Sequence, residues 1–227
     1  MSTSDSIVTQ YAELRREMVE QIARHAHLAG VETGKAVFSD QVMDVMLSIP
    51  RHEFVPVELR AFAYTDSPLP IGYDKTISQP FIVALMTDLL DLQAEDRVLE
   101  VGTGLGYQAC VLAKLVEHVY SVEILDELAE GASRRLAEQG AVNVELRVGD
   151  GSKGWSEHAP FDKILVAAAP DLIPTPLLAQ LKPGGKMVIP AGIEGAQQLM
   201  LVRKNDKGQL SVEEILPVRF SSLTVSH

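Results

Sequence analysis

The chain has 227 residues, 46% of them apolar, and its 20 basic against 31 acidic residues give a formal net charge of −11. This length favours one ordinary domain, and the acidic balance argues against a protein that coats nucleic acid or an anionic membrane, because such binding relies on clustered Lys and Arg. The single cysteine excludes an internal disulfide and a zinc site built from several cysteines.

Other features of the whole chain narrow the class further. No run of about 18 uncharged apolar residues occurs, so no membrane span is predicted. Charged residues interrupt positions 1–20, where a signal peptide would need an apolar core. Aromatic residues make up only 5% of the chain, which disfavours single-strand binding by base stacking. We therefore expect a cytoplasmic protein that partners neither nucleic acid nor membrane.

Helical signals dominate the first part of the chain. Apolar side chains recur at three- and four-residue spacing over residues 7–28, which predicts an amphipathic helix. A second helix is predicted from Asp40 to Leu47, with Ser39 or Asp40 as its N-cap and Pro50 just beyond its end. Together these elements form an N-terminal helical extension.

A proline-rich segment follows the extension. Residues 64–80 contain three prolines and several apolar side chains, a composition that predicts a long, ordered loop of functional importance. Residues 81–92 are predicted to form a helix, since Pro80 suits the first turn of a helix.

From Arg97 onward, strand-like and helix-like segments alternate. Repeated βα units predict an α/β fold, namely a doubly wound, Rossmann-like, mostly parallel sheet. The sequence NDKG between the last two strands indicates a hairpin, so this sheet should end in an antiparallel C-terminal pair. The predicted strands are 97–102, 119–124, 142–151, 161–170, 186–192, 197–204 and 210–220, and the predicted helices are 107–116, 126–140 and 175–185.

A glycine-rich turn between the first of these strands and its helix is the central chemical signal. Residues 99–106 read LEVGTGLG, and Tyr107 stands where the dinucleotide fingerprint would have its last glycine. Glycines let the chain turn sharply and let a ligand approach the backbone closely. The pattern therefore indicates a nucleoside site other than the usual dinucleotide site.

Two acids stand at the ends of the next strands. Glu123 lies 21 residues beyond Gly102, and a carboxylate there can accept hydrogen bonds from both ribose hydroxyls of a nucleoside. Asp150, flanked by Gly149 and Gly151, could face an adenine amino group. Each acid alone could also be a strand terminator or a turn residue. Jointly, at ordered strand ends, they predict one nucleoside site.

With these motifs the chain resembles class I S-adenosylmethionine-dependent methyltransferases and, more narrowly, the protein-L-isoaspartate O-methyltransferase family. The resemblance covers nearly the whole chain, and the segments SPLPIG and TISQP make the narrow match specific. Its carriers are PRHEFVP at 50–56 and the segments at 63–80, 98–113, 122–123, 149–151, 161–170 and 177–192. It implies that residues 81–227 form the S-adenosylmethionine-binding domain and that residues 1–80 add a helical extension and an active-site loop, all in one structural unit.

The resemblance also implies an activity. The family transfers a methyl group from S-adenosylmethionine to the free α-carboxylate of L-isoaspartyl residues in damaged proteins, and the ester then collapses to a succinimide, which starts repair. The substrates would be isoaspartyl-containing peptides and proteins, and the enzyme is expected to be a monomer without a metal. The reactive carboxyl has a reference pKa of about 3.5, so it is ionised at neutral pH and needs no general base. Catalysis then reduces to alignment and exclusion of water.

Site residues carry over by position. Ser78 matches the active-site serine of the family, which would donate a hydrogen bond to the substrate carboxylate. Its competing interpretation is an N-cap for the helix that begins at Pro80. The cofactor-binding positions implied by the resemblance are Thr76, Ile77, Glu100, Gly102, Gly104, Glu123, Asp150, Gly151 and Thr224.

Three residues depart from the family pattern, namely Lys75, Leu105 and Ser222. They leave two alternatives open. One is a methyltransferase of the same fold that acts on a small molecule, and the other is a degenerate, non-catalytic cofactor-binding module. Outside the site pattern, Cys110 is predicted to be buried core, and Trp155 to pack a loop against the sheet.

Overall fold

The computed structural model describes residues 3–225, with side chains from residue 9 onward. The α-helices in this range are α1 (Thr3–Thr33), α2 (Asp40–Ser48), α3 (Pro80–Leu89), α4 (Tyr107–Ala113), α5 (Asp126–Glu138) and α6 (Thr175–Gln180). The strands are β1 (Leu69–Gly72), β2 (Lys75–Ile77), β3 (Arg97–Val101), β4 (His118–Glu123), β5 (Val144–Val148), β6 (Phe161–Val166), β7 (Leu181–Ala191), β8 (Gln197–Lys204) and β9 (Leu210–Val218). None of these helices is both long and apolar enough to cross a membrane.

Strands β3 to β9 form one sheet in the order β5-β4-β3-β6-β7-β8-β9. The five strands β5, β4, β3, β6 and β7 run parallel to one another. Strand β8 pairs antiparallel with both β7 and β9. The predicted doubly wound, mostly parallel sheet with an antiparallel C-terminal pair is therefore confirmed. The chain passes from β3 to β4 on one side and later to β6 on the other, so the sheet has a topological switch point at β3.

The sheet is covered on both faces, as β3 illustrates. Val98 belongs to the larger apolar cluster, which includes Met18 of α1 and Leu85 of α3. The next residue, Leu99, belongs to a second cluster that includes Phe161. Successive side chains of a strand point to opposite faces, so one strand serves both clusters. The helical extension thus packs on the same apolar cluster as α3.

The predicted loop over residues 64–80 contains a hairpin that the sequence interpretation missed. Strands β1 and β2 pair antiparallel, and the two turn residues, Tyr73 and Asp74, have φ values of +54° and +53°. Positive φ at both positions is the hallmark of a tight hairpin turn, which usually announces itself by Asn-Gly or Asp-Gly. The turn sequence Tyr-Asp lacks that signal, so the sequence did not predict the hairpin.

Helix α6 is shorter than predicted. It ends at Gln180, because Leu181 already pairs with Phe161 as the first residue of β7. The prediction of a helix through residue 185 was therefore wrong. At the other end of the chain, α1 runs to Thr33 and exceeds the predicted range, while Ser39 caps α2 as predicted, its side chain accepting from the Val42 amide.

Two predictions about single side chains are confirmed. Cys110 is fully buried in α4, and burial raises the pKa of its thiol to about 11. Trp155 is buried with its ring edge-on to Tyr120, at 5.8 Å between centroids, and the Arg147 guanidinium lies 4.4 Å above the indole. Both residues therefore stabilise the fold by packing.

Candidate active site

The predicted site residues converge at the carboxyl ends of the parallel strands. Strand β3 has β4 on one side and β6 on the other, and the segments after these strands meet at the same edge. The amide of Ala167, just after β6, donates to the Val101 carbonyl at 2.8 Å, and the Gly102 amide donates to the Val122 carbonyl at 2.8 Å. Ligands in open α/β sheets bind at this place, beside the switch point.

The glycine turn after β3 depends on a left-handed backbone. Gly102, Gly104 and Gly106 have φ values of +92°, +55° and +89°, which a residue with a side chain adopts only at a cost. A Cβ atom built on Gly104 would have only the Ile71 Cδ1 atom nearby, at 3.7 Å. The turn therefore presents bare backbone toward open space.

Glu123, at the end of β4, is bound to this turn. Its Oε2 atom accepts a hydrogen bond from the Gly104 amide at 2.8 Å. Its Oε1 atom accepts from the amides of Ile124 and Leu125 at 3.0 and 3.1 Å. The residue is only 5% exposed. A carboxylate has about four acceptor positions, and three amides use three of them, so Glu123 keeps one position, on Oε2, for a hydroxyl of a ligand.

A cavity of about 630 Å³, counted with the open solvent at its entrance, lies against these strand ends. Its walls come from the strand ends, from the β1–β2 hairpin and from the C-terminal segment 220–224. Seven of the predicted site residues line it, namely Thr76, Ser78, Gly102, Gly104, Glu123, Gly151 and Thr224.

Three predicted site residues do not line this cavity. Ile77 is buried and lines a neighbouring small cavity. The Oδ1 atom of Asp150 accepts hydrogen bonds from the amide and hydroxyl of Ser152 at 3.0 and 2.7 Å, and so caps a short 3₁₀ turn. Glu100 is fully buried, and its Oε2 atom accepts from the Ser121 hydroxyl. Direct contact of these side chains with a cofactor stays a prediction.

Glu100 has unusual electrostatics for a residue next to the glycine turn. Burial raises its pKa to about 8, the Ser121 hydrogen bond opposes the rise, and the nearby charge of Glu123 adds to it. Its Oε1 atom has no hydrogen-bond partner among the described residues. The Ser121 hydroxyl also contacts the Thr103 hydroxyl at 2.6 Å. A short polar network thus lies behind the turn, and Glu100 is neutral at its end when the pH is near 7.

The capping interpretation of Ser78 was wrong. The N-cap of α3 is Gln79, whose side chain makes no capping bond. The amide of Phe81, in the first turn, instead donates to the Oδ1 atom of Asp66 at 2.8 Å. Among the residues with described side chains, none forms a hydrogen bond with the Ser78 hydroxyl. A distant acid therefore satisfies the helix and leaves the serine hydroxyl available to a ligand.

The C-terminal segment is tied to the strand ends and to the hairpin. Ala169 donates to the Ser221 carbonyl at 2.9 Å, and Leu223 donates to the Ala169 carbonyl at 2.8 Å. The Ser221 hydroxyl donates to the Asp74 carbonyl at 3.1 Å, and Lys75 Nζ donates to the Ser222 carbonyl at 3.5 Å. Two of the residues that depart from the family pattern, Lys75 and Ser222, are thus bonded to each other at the cavity mouth.

Sequence reasoning missed a second depression. A groove of about 1040 Å³ adjoins the cavity and shares Thr76, Ser78 and Phe220 with it. Its other walls include His25 of α1, Phe81 of α3 and the end of β9. These residues lie far apart in the chain and carry no common motif, so only the fold brings them together. Ser78 stands where the cavity and the groove meet.

Comparisons with known proteins give the same family as the sequence motifs. The family model described as "Protein-L-isoaspartate(D-aspartate) O-methyltransferase (PCMT)" matches residues 23–227. Protein-L-isoaspartate O-methyltransferase 1 of Polaromonas sp. is 57% identical, over 94% of this chain and 90% of that protein. Protein-L-isoaspartate O-methyltransferase 2 of Syntrophobacter fumaroxidans is 54% identical, over 96% and 88% respectively.

Solved structures are similar as well. A protein-L-isoaspartate O-methyltransferase structure aligns with a TM-score of 0.78 at 30% identity, over 92% of this chain and 65% of that longer chain. A Plasmodium falciparum structure, described as a putative member in complex with S-adenosyl-L-homocysteine, aligns with a TM-score of 0.78 at 22% identity, over 93% of this chain and 99% of that one, which supports the fold alone. From the match over residues 23–227, we conclude that the chain belongs to the protein-L-isoaspartate(D-aspartate) O-methyltransferase family.

Proposed function

We propose that this protein transfers a methyl group from S-adenosylmethionine to the α-carboxylate of L-isoaspartyl residues in damaged proteins, and so starts their repair through a succinimide. The observation that carries the proposal is the position of Ser78. This residue lines both the cavity beside the glycine turn and the adjoining groove. Its hydroxyl has no hydrogen-bond partner among the residues with described side chains, and it lies where a cofactor in the cavity and a protein substrate in the groove would meet.

The residues around the cavity fit S-adenosylmethionine. Glu123 keeps a free acceptor position on Oε2, which suits a ribose hydroxyl. Gly102 and Gly104 leave the backbone bare for the methionine end. A Cβ atom on Gly151 would lie 2.3 Å from Val101 Cγ1, so this wall has no room for a side chain. When bound, the cofactor supplies a methyl carbon that its sulfonium makes electrophilic.

The protein's own task is to hold the acceptor carboxylate. An α-carboxyl group with a pKa of about 3.5 is already ionised at neutral pH, so no residue has to remove a proton. The Ser78 hydroxyl donates a hydrogen bond to this carboxylate and sets its direction. A hydrogen bond to a charged acceptor contributes about 1.5–3 kcal/mol. The hairpin and the segment 220–224 keep water away from the reacting atoms, because they close the cavity from two sides.

The groove suits a segment of polypeptide. Its walls combine apolar side chains, among them Phe81, Leu216 and Val218, with Gln79 and Arg219. Among the described strands, β9 is the last of the sheet, with β8 as its one strand neighbour. An extended peptide can bind beside such an edge through its main-chain groups.

The test compares two peptides that differ only in one linkage. Purified protein is incubated with methyl-labelled S-adenosylmethionine and either an L-isoaspartyl peptide or the same peptide with normal aspartate. We expect base-labile label on the isoaspartyl peptide alone. If S-adenosylhomocysteine binds by calorimetry and the isoaspartyl peptide stays unlabelled, the proposal fails in favour of a small-molecule methyltransferase. If no binding is measured, it fails in favour of a non-catalytic module.

A further inference from the structure

Arg51 is a fully buried cation beside the candidate site. It begins a short 3₁₀ turn, Arg51–Glu53, after the helical extension. Its Nε atom donates to the Ala63 carbonyl at 2.9 Å, and its Nη2 atom donates to the Ser78 carbonyl at 2.7 Å. The guanidinium carbon lies 4.8 Å from the ring centre of Tyr107, the first residue after the glycine turn. One side chain thus joins the segment before the β1–β2 hairpin, the segment that carries Ser78 and the first residue of α4.

The burial of this charge needs a physical reason. Removing a cation from water is costly unless it is paired and hydrogen-bonded. Among the described residues, no carboxylate lies within 4.0 Å of Arg51, and its Nη1 atom has no hydrogen-bond partner. Two carbonyl groups, one aromatic face and the more distant negative charge of Asp66 compensate for the burial of this cation. An apolar side chain would fill this space without the free-energy cost of burying a charge, so packing alone does not explain an arginine at this position.

We propose that Arg51 is a positioning residue for the methyl transfer, acting through the main chain of Ser78. The inference depends on the function proposed above. Ser78 lies in the short segment between β2 and α3, outside regular structure. Its carbonyl is bonded to Arg51 at 2.7 Å. The hydroxyl can only be as well placed as the main chain that carries it, and a misplacement of about 1 Å can cost a reaction roughly a hundredfold.

Arginine suits this task better than lysine. Its planar guanidinium holds several donors in a fixed arrangement, so Nε and Nη2 can serve the Ala63 and Ser78 carbonyls together. The flat cation also lies on an aromatic face, which a compact ammonium group matches less well. The substitution Arg51→Lys therefore keeps the positive charge but removes the planar arrangement of donors that serves both carbonyls and the aromatic ring.

The chain offers a matched control in Arg97. Its Nη2 atom donates to the Tyr120 hydroxyl and to the His158 carbonyl, both at 3.1 Å, and its guanidinium lies 5.2 Å from the Tyr120 ring centre. Arg97 begins β3, at the end of the strand opposite to the glycine turn. Like Arg51 it donates to a main-chain carbonyl and lies over a tyrosine ring, but it is only half-buried and lies away from Ser78.

The experiment is a double-mutant cycle on the full chain. We measure kcat and KM for the isoaspartyl peptide, S-adenosylhomocysteine affinity and Tm for wild type, R51K, S78A and R51K/S78A, with R97K and R97K/S78A as controls. R51K should lower kcat/KM roughly tenfold or more, while S-adenosylhomocysteine affinity stays within about twofold of wild type. Most of that loss should disappear in the S78A background, because residues that act as a unit are non-additive. R97K should leave kcat/KM unchanged.

Two results would overturn the inference. One is an R51K loss of the same size in the S78A background, and the other is a loss in R97K equal to that in R51K, since both would mark a general structural effect. If the ammonium group prevents R51K from folding, Arg51→Gln replaces it in the same cycle, because Gln brings no charge into the core. An inactive wild type would refute the proposed function, whereas additivity in an active enzyme refutes only the role of Arg51.

Discussion

The Oδ1 atom of Asp66 accepts a hydrogen bond from the main-chain amide of Phe81 at 2.8 Å. The first amides of a helix have no partner within the helix, so a side chain must satisfy them from outside. Asp66 is held in place by His25, whose Nδ1 atom lies 2.9 Å from its Oδ2 atom. Asp66 thus satisfies an amide in the first turn of α3 from a loop that lies earlier in the chain, and the Ser78 hydroxyl is not used as a cap.

Removing this cap should affect both stability and activity. Asp66→Ala is expected to lower the free energy of unfolding by about 0.5–2 kcal/mol, as for other helix caps. It should also lower kcat/KM for the isoaspartyl peptide, because the unsatisfied Phe81 amide then competes for the Ser78 hydroxyl. Ser39→Ala, which removes the α2 cap, should lower stability alone. Unchanged kcat/KM per folded D66A molecule would contradict this account.

Glu123 should determine cofactor affinity. In Glu123→Ala the ribose loses its carboxylate acceptor and the glycine turn loses the hydrogen bond from the Gly104 amide to Oε2. We expect S-adenosylhomocysteine affinity, measured by calorimetry, to fall roughly tenfold or more. Glu127→Gln is the control, because Glu127 is an exposed acid on the neighbouring α5. Equal affinities for E123A and wild type would refute the assignment.

Two glycines that flank Asp150 should respond differently to alanine. A Cβ atom on Gly151 would lie 2.3 Å from Val101 Cγ1, whereas one on Gly149 would meet nothing closer than 3.8 Å. Val101 is almost fully buried, so its methyl group has little room to move. Gly151→Ala should therefore cost about 1–3 kcal/mol of unfolding free energy in urea titrations, and Gly149→Ala should cost much less. Equal losses of unfolding free energy in the two variants would show that Val101 in β3 moves readily to accommodate the new Cβ atom.

Glu100 should make the protein less stable as the pH rises. Burial raises its pKa from 4.5 to about 8, so between these values the folded protein keeps a proton that the unfolded chain has released. The contribution of Glu100 to the free energy of unfolding is fully present below pH 4.5. It is lost as the pH rises from there through the folded-state pKa, by on the order of 1 kcal/mol per pH unit.

The matched variant Glu100→Gln removes this titration and can still accept the Ser121 hydrogen bond through its amide oxygen. Urea unfolding at several values from about pH 5 to about pH 8 should show a steeper loss of stability for wild type than for E100Q. Parallel curves for the two proteins would mean that Glu100 does not titrate in this window.

Local rules were sufficient for the predictions that depended on neighbouring residues. A short β-rich run identified β3, and the glycines, which let the chain turn sharply, located the turn at Gly102 and Gly104. The approach of Glu123 to that turn followed from the parallel sheet, because adjacent strands end at the same edge. The β1–β2 hairpin escaped these rules, since its turn lacks the usual glycine.

The sequence by itself thus determined the fold class, the glycine turn and its acid, because periodicity and backbone preference are properties of neighbouring residues. Only the tertiary structure decided what Ser78 does, because its rival as a helix cap, Asp66, lies 15 residues before Phe81 and reaches it through space. The same is true of Arg51, whose bond to Ser78 spans 27 residues. Such contacts depend on how separate segments of the chain pack together, and no local sequence pattern indicates which distant residues will become neighbours in space.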